Sequence, residues 1–148
     1  MVRRKKSSKI YAVMLAIMCI VSMGGVVNAY QMSDFSVQID YPNQYKRTGS
    51  LEKTDASSGS VYYGSGGATY ICVEMWGADG SSGDYRNFTY PHTEQSASNA
   101  TYYKVNKGEY RLLLNTIYEY YNEKCYASLY IQSSSIGTTS GSWSSETD

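Results

Sequence analysis

The sequence has few of the residues that enzymes most often use for catalysis and metal binding. Its 148 residues include one histidine, three cysteines and two prolines. A single histidine, His92, excludes the usual zinc sites with two or three histidine ligands. A Ser-His-acid triad is equally unsupported, because no Gly-x-Ser-x-Gly elbow accompanies that histidine. We therefore expect a non-enzymatic protein that binds no metal and needs no cofactor.

Basic residues are scarce beyond the first 29 positions. Five of the 13 Lys and Arg residues lie between Arg3 and Lys9, which leaves residues 30–148 with 8 basic and 13 acidic side chains and a net charge of −5. Nucleic-acid binders need Lys and Arg to neutralise phosphates, so this balance argues against that class. It argues equally against a cationic membrane-lytic peptide.

The first 29 residues have the three parts of a secretory signal peptide. Residues 1–9 are cationic, Ile10 to Val21 is an unbroken apolar run, and Val27-Asn28-Ala29 offers a small-residue cleavage site. We predict a signal-peptide helix over residues 1–29, cleavage after Ala29 and a secreted, extracellular protein without membrane contact. The alternative is a retained membrane anchor, because the apolar span is long enough to cross a bilayer.

Two cysteines remain beyond the leader, Cys72 and Cys125. An even pair in an exported chain indicates one disulfide, because export delivers the chain to an oxidising compartment. The alternative is two buried, reduced thiols that never approach each other. We predict that Cys72 and Cys125 form a disulfide.

Residues 30–148 predict one all-β domain. Short alternating segments are separated by Ser, Gly, Asn and Asp clusters, and no stretch keeps a helical period of apolar residues. We expect an antiparallel β-sandwich of jelly-roll-like form, with a small barrel as the alternative closure. The predicted strands are Phe35–Asp40, Ser60–Tyr63, Ala68–Trp76, Tyr85–Tyr90, Thr101–Val105, Tyr110–Tyr118, Cys125–Gln132 and an edge strand at Ser140–Trp143.

Tyrosine is unusually frequent, with 17 residues of which 16 follow the leader. Neighbouring residues of a strand point to opposite faces, so each tyrosine pair in a strand directs one ring outward. Exposed aromatic rings suit stacking on sugar rings or on a protein partner. The alternative is structural, because tyrosine has high β propensity and packs across strands. The candidate binding residues are Tyr102, Tyr120, Tyr130 and Trp143, whereas Trp76 is expected in the core.

The chain combines a leader, an early Phe-x-Val-x-Ile strand at Phe35–Ile39, a Tyr-, Ser- and Asn-rich β body and the ending Ser140–Thr147. This layout resembles a family of small secreted proteins of Gram-positive bacteria, which is defined only as a domain of unknown function. The ending is similar to that family's Ser-Gly-aromatic-Trp-acidic-Glu-Thr close. A weaker likeness is to bacteriocins of the lactococcin 972 type, which are also short, leader-bearing and rich in Tyr and Ser. The resemblance implies export but no activity or site residues.

These observations predict a secreted, non-enzymatic β-sandwich protein that binds a component of the cell surface or cell wall, either a glycan or a protein. The aromatic excess, the export signal and the missing catalytic constellation all favour this hypothesis. The alternative is a secreted, bacteriocin-like antagonistic protein.

Overall fold

A computed structural model describes residues 31–90 and 102–147 of the chain. The fold is all-β, as predicted. The predicted signal peptide and His92 lie outside the described residues. Within them the elements, in chain order, are β1 (Met32–Ile39), β2 (Gln44–Arg47), β3 (Leu51–Lys53), β4 (Gly59–Ser65), β5 (Tyr70–Ala78), β6 (Arg86–Asn87), β7 (Tyr103–Asn106), β8 (Tyr110–Leu113), α1 (Ile117–Tyr121), β9 (Cys125–Ser133) and β10 (Gly137–Ser144).

The strands form two antiparallel sheets. The first sheet has four strands in the order β1-β10-β4-β8. The second sheet has six, in the order β2-β9-β5-β6, with β3 also paired to β9 and β7 also paired to β5. The longest pairing joins β5 to β9, from Ile71 opposite Ser133 to Ala78 opposite Tyr126. This central pair positions most of the residues discussed below.

Alternation in the sequence explains which side of each strand is buried. In β1, the side chains of Phe35, Val37 and Ile39 are buried, while the polar residues between them are exposed. In β5 and β9, Val73 and Leu129 likewise point inward. Successive residues of a strand alternate between faces, so an apolar-polar alternation becomes one buried and one open face.

One cluster of buried side chains draws on both sheets. The first sheet contributes Tyr63 and Trp143, and the second contributes Met75 and Ile131. The hydroxyl of the fully buried Tyr63 donates to the carbonyl of Ala68 at 2.8 Å. This bond satisfies the only polar group of that side chain, as a buried tyrosine requires.

The prediction that Trp143 is partly exposed on an edge strand is wrong. β10 lies between β1 and β4 rather than at an edge, and only 1% of Trp143 is accessible to solvent. The Ser- and Gly-rich composition of β10 obscured this position, because small residues also allow close packing. Gly141 shows the reason, since a Cβ there would overlap the backbone oxygen of Tyr62 on β4.

The residues directly after Trp143 form hydrogen bonds with β3 and the residue that follows it. The buried Lys53 ammonium donates to the carbonyl of Ser145 at 3.0 Å, and the Ser145 hydroxyl donates to the carbonyl of Glu52 at 2.5 Å. The carboxylate of Glu146 accepts the backbone N–H of Thr54. The ending on which the family resemblance depends is therefore a structural feature of this fold.

The predicted disulfide between Cys72 and Cys125 is also wrong, since both cysteines are free. Cys72 faces Gln132 across the β5–β9 pair, and Cys125 lies seven residues from Gln132 along β9. At about 3.4 Å per residue that separation exceeds ~20 Å, whereas a disulfide needs Cα atoms within about 7 Å. The two side chains also point to opposite faces of the second sheet. Cys125 lies on the buried face of β9 with Leu129, whereas Cys72 lies on the face of β5 opposite the buried Val73.

The predicted strand from Tyr110 to Tyr118 is shorter than expected. β8 ends at Leu113, and Ile117 instead begins the five-residue helix α1. Ile117 packs so closely against Gly77 of β5 that a Cβ at Gly77 would overlap its side chain. Ile117 is fully buried in a helical turn, which a period-two pattern does not reveal.

Candidate functional site

The outward face of the second sheet carries an unusual set of aromatic and polar side chains. β5 directs Tyr70, Cys72, Glu74 and Trp76 to this face, in alternation with the buried Ile71, Val73 and Met75. β9 contributes Tyr126, Ser128, Tyr130 and Gln132 by the same alternation. The register brings these two sets side by side, because Glu74 faces Tyr130 and Trp76 faces Ser128.

Trp76 and Tyr130 stack on each other at the centre of this face. Their ring centroids are 4.1 Å apart and their planes differ by 23°. The two residues are diagonal neighbours across antiparallel strands, a separation that long aromatic side chains can bridge. A stacked pair of this kind contributes about 0.5–1.5 kcal/mol beyond the burial of its area. Each ring therefore covers one face of the other, and we call this stacked pair the aromatic wall.

The carboxylate of Glu74 lies beside this wall. Its Oε2 atom accepts the indole N–H of Trp76 at 2.6 Å and the amide N–H of Asn87 at 3.1 Å. Asn87 belongs to β6 and faces Trp76 in the register, which places its amide over the same spot. Only 7% of Glu74 is accessible. The carboxylate is therefore held in one orientation by Trp76 of its own strand and by Asn87 of the neighbouring strand β6.

Tyr45 of β2 completes the site. Burial, followed by the negative charge of Glu74 and a hydrogen bond to it, raises the pKa of Tyr45 to about 12. A cleft of about 330 Å³ is lined by Tyr45, Glu74, Trp76 and Tyr130. We call these four residues the aromatic cleft. Three aromatic rings around one fixed carboxylate match the composition of ligand sites, which are mostly apolar with a few placed polar groups.

Two cations flank the aromatic cleft, and each lies over an aromatic ring of its own. The Arg47 guanidinium lies 4.6 Å from the ring centroid of Tyr85, and the Lys104 ammonium lies 4.0 Å from that of Tyr70. Arg47 faces Tyr130, and Lys104 faces Cys72, in the register of the second sheet. Cation–π contacts of this kind contribute about 0.5–1 kcal/mol at exposed sites. They hold both cations at the sides of the cleft.

The predicted binding residues do not form one surface. Tyr130 is in the aromatic cleft, and Tyr102 is half-buried directly before β7. Tyr120 lies on α1, where its ring packs against Phe88 with centroids 5.0 Å apart. Trp143 is in the core.

Sequence reasoning missed three members of the aromatic cleft: Tyr45, Glu74 and Trp76. Trp76 was expected in the core, but it is half-buried on the outward face. A signal was present, because Glu74 shares its strand face with Tyr70 and Trp76. Burying an acidic side chain among aromatic neighbours costs desolvation free energy, which is unfavourable in a purely structural core. Such a residue therefore indicates a functional site.

Comparison of the chain with protein-family models, with curated proteins and with solved structures finds no match.

Among residues 31–90 and 102–147, no helix is long and apolar enough to span a bilayer. The same residues contain no cluster of three or more His, Cys, Asp or Glu side chains suited to a metal ion.

Proposed function

We propose that this protein is secreted and binds a glycan of the cell surface or cell wall through the aromatic cleft. The observation that carries the proposal is the Trp76–Tyr130 wall beside the fixed carboxylate of Glu74. A sugar ring has a flat apolar face of C–H groups and a rim of hydroxyl donors. A sugar face can stack on the ring face of the wall that the stacked partner leaves uncovered, and the carboxylate accepts hydrogen bonds from the rim.

Binding without catalysis suits the acidic groups of the cleft. Glycoside hydrolases generally use two carboxyl groups, placed about 5–10 Å apart across the scissile bond. Glu74 is the single carboxylate among the residues lining the aromatic cleft. One carboxylate held by neutral donors suits recognition better than acid–base chemistry. The function that we propose is therefore binding without catalysis.

Export and a sandwich fold complete the proposal. The leader over residues 1–29 supports secretion from a Gram-positive cell, with cleavage after Ala29. The shared buried cluster of the two sheets supports a jelly-roll-like β-sandwich, in which the outward face of the second sheet remains free for a ligand. A net charge of −5 over residues 30–148 makes a surface glycan a better partner than nucleic acid.

Cosedimentation with isolated cell walls tests this function. The full chain is expressed, and the protein is purified in the form that the host cell produces. The variants Trp76→Ala and Tyr130→Ala are prepared in the same way. We expect saturable pelleting of the wild type and at least about a tenfold weaker affinity for each variant, because both lose the stacked wall. Tyr110→Ala is the matched control, since Tyr110 is exposed on β8 of the other sheet.

The outcomes separate the candidate functions. Equal pelleting of the wild type and Trp76→Ala would place wall binding elsewhere on the protein. Absence of pelleting, combined with growth inhibition of related bacteria, would favour the bacteriocin-like alternative. Loss of pelleting in Tyr110→Ala as well would show that the assay measures general surface adhesion.

A further inference from the structure

The carboxylate of Glu74 is buried without a cationic partner among the described residues. The ion pairs found in this part of the chain join Lys46 to Asp40, Lys53 to Asp55, Arg111 to Glu109 and Lys124 to Glu52. The two groups that donate hydrogen bonds to Glu74, the Trp76 indole and the Asn87 amide, are both neutral. Buried charges in proteins are normally paired, so an unpaired one indicates a partner that arrives from outside.

The nearby cations do not fill this role. Arg47 and Lys104 share the outward face of the second sheet with Glu74, but each lies over the ring of another residue, Tyr85 or Tyr70. Neither ammonium nor guanidinium comes within the 4.0 Å of an ion pair with Glu74. The centre of the aromatic cleft is therefore negative, while its flanks are positive.

Glu74 also keeps acceptor capacity for a ligand. A carboxylate offers about four lone-pair positions. Both N–H donors converge on Oε2, and the Tyr45 hydroxyl provides a third bond at most. At least one position on Glu74 therefore remains for a ligand donor in the aromatic cleft.

We propose that the aromatic cleft selects an amino sugar with a free ammonium group over its N-acetylated or hydroxyl counterpart. This inference depends on the proposed glycan-binding function and names the class of sugar. The sugar ring lies against the Trp76–Tyr130 wall, and its ammonium donates to Glu74. A charge-assisted hydrogen bond to a buried carboxylate is about twice as strong as a neutral one. An acetylated nitrogen loses the charge and adds bulk beside Tyr45.

The shape of the site favours an amino sugar over a quaternary ammonium group. Aromatic cages for quaternary ammonium ligands place ring faces around the cation on several sides. Here Trp76 and Tyr130 are nearly parallel and each covers one face of the other, so the two rings do not enclose a cation between them. A carboxylate also accepts hydrogen bonds from N–H donors, and a quaternary ammonium group has no N–H to donate.

Calorimetric titration with glucosamine and N-acetylglucosamine oligomers of equal length tests the inference. The wild-type protein, purified after expression of the full chain, should bind the free-amine oligomer at least about tenfold more tightly at low salt. Glu74→Gln should abolish this preference and retain weaker binding of both oligomers. Trp76→Ala should weaken the binding of both. Asp34→Asn is the charge-matched control, because Asp34 is exposed on β1 of the other sheet.

Each result has a distinct meaning. Equal binding of both oligomers, unaffected by Glu74→Gln but reduced by Trp76→Ala, would overturn the ammonium selectivity and leave the glycan-binding proposal intact. Binding of neither oligomer would overturn this inference, and the cell-wall experiment would then decide the broader proposal. Tighter binding of tetramethylammonium than of the free-amine oligomer would replace the amino sugar with a quaternary ammonium ligand. A preference that persists in Glu74→Gln and disappears in Asp34→Asn would also overturn the inference.

Discussion

Trp76 stacks on Tyr130 at 4.1 Å although the two residues are not opposite each other in the β5–β9 pair. The residue opposite Trp76 is Ser128, whose side chain shares the outward face and is fully buried. A small residue at this position leaves room for the two large rings to meet across the diagonal. The aromatic wall therefore depends on a serine that is itself closed off from solvent.

Ser128 provides the first prediction, because its hydroxyl is buried without a hydrogen-bond partner in the described structure. An unsatisfied buried polar group costs about 1–3 kcal/mol. We expect Ser128→Ala to raise the free energy of unfolding by about 1 kcal/mol and to leave ligand affinity unchanged. Urea denaturation measures the first quantity. A clear loss of stability would mean that the hydroxyl has a partner after all.

The free thiols provide the second prediction. Burial raises the pKa of the Cys72 thiol and raises that of Cys125 to about 11, so few thiolates exist near neutral pH. We expect slow alkylation of the folded protein, with Cys72 modified first because it is half-buried and Cys125 is fully buried. Peptide mapping after alkylation, with and without urea, identifies the sites. Recovery of a peptide linked through both cysteines would contradict the structure.

Gly141 provides the third prediction. A Cβ at this position would overlap the backbone oxygen of Tyr62 and would lie 2.9 Å from the ring of Phe35. Backbone cannot yield as a flexible side chain can, so we expect Gly141→Ala to destabilise the protein by about 3 kcal/mol or more. Gly80→Ala is the control, because nothing lies within 4 Å of its added Cβ. Similar melting temperatures for the two variants would show that β4 and β10 are further apart.

Tyr45 provides the fourth prediction, which concerns alkaline pH. Its pKa rises from 10.0 in the ordinary state to about 12 in the folded protein. Above pH 10 the folded state therefore holds a proton that the unfolded state releases, and stability is lost between about pH 10 and 12. In Tyr45→Phe this part of the pH dependence should disappear. Urea denaturation of both proteins at several alkaline pH values measures the difference.

Glu74→Gln refines the same prediction. Burial is the larger cause of the raised pKa of Tyr45, and the charge of Glu74 comes second. The variant should therefore lower the pKa of Tyr45 only part of the way toward its ordinary value. A full return would show that burial contributes little, and an unchanged pKa would place the carboxylate away from the phenol. The tyrosinate absorbance difference from Tyr45→Phe reports this pKa.

Much of the secondary structure could be predicted because alternation is a local property. Phe35, Val37 and Ile39 alternate with polar residues, and the burial of β1 follows that pattern. The cores of β5 and β9 were found in the same way. β3 and α1 were missed, because three strand residues or one helical turn give no period to detect.

The candidate site was only partly accessible from the sequence. Tyr130 lies on the outward face of β9 and lines the aromatic cleft, and its role in binding stays a prediction. Tyr120 was selected by the same argument but lies on α1, beside Phe88. The sequence pattern is the same for both, so it could not tell the aromatic cleft from an exposed helix.

The sequence by itself determined that the protein is all-β and which residues of each long strand share a face, since both depend on neighbours two positions apart. Only the tertiary structure decided which faces are covered. Trp143 is buried because β10 lies inside the first sheet, whereas Trp76 is half-buried because it lies on the face of β5 opposite the buried Val73 and Met75. Cys72 and Cys125 remain apart, and Glu74 meets Trp76 and Asn87, because strand register sets distances between residues far apart in sequence.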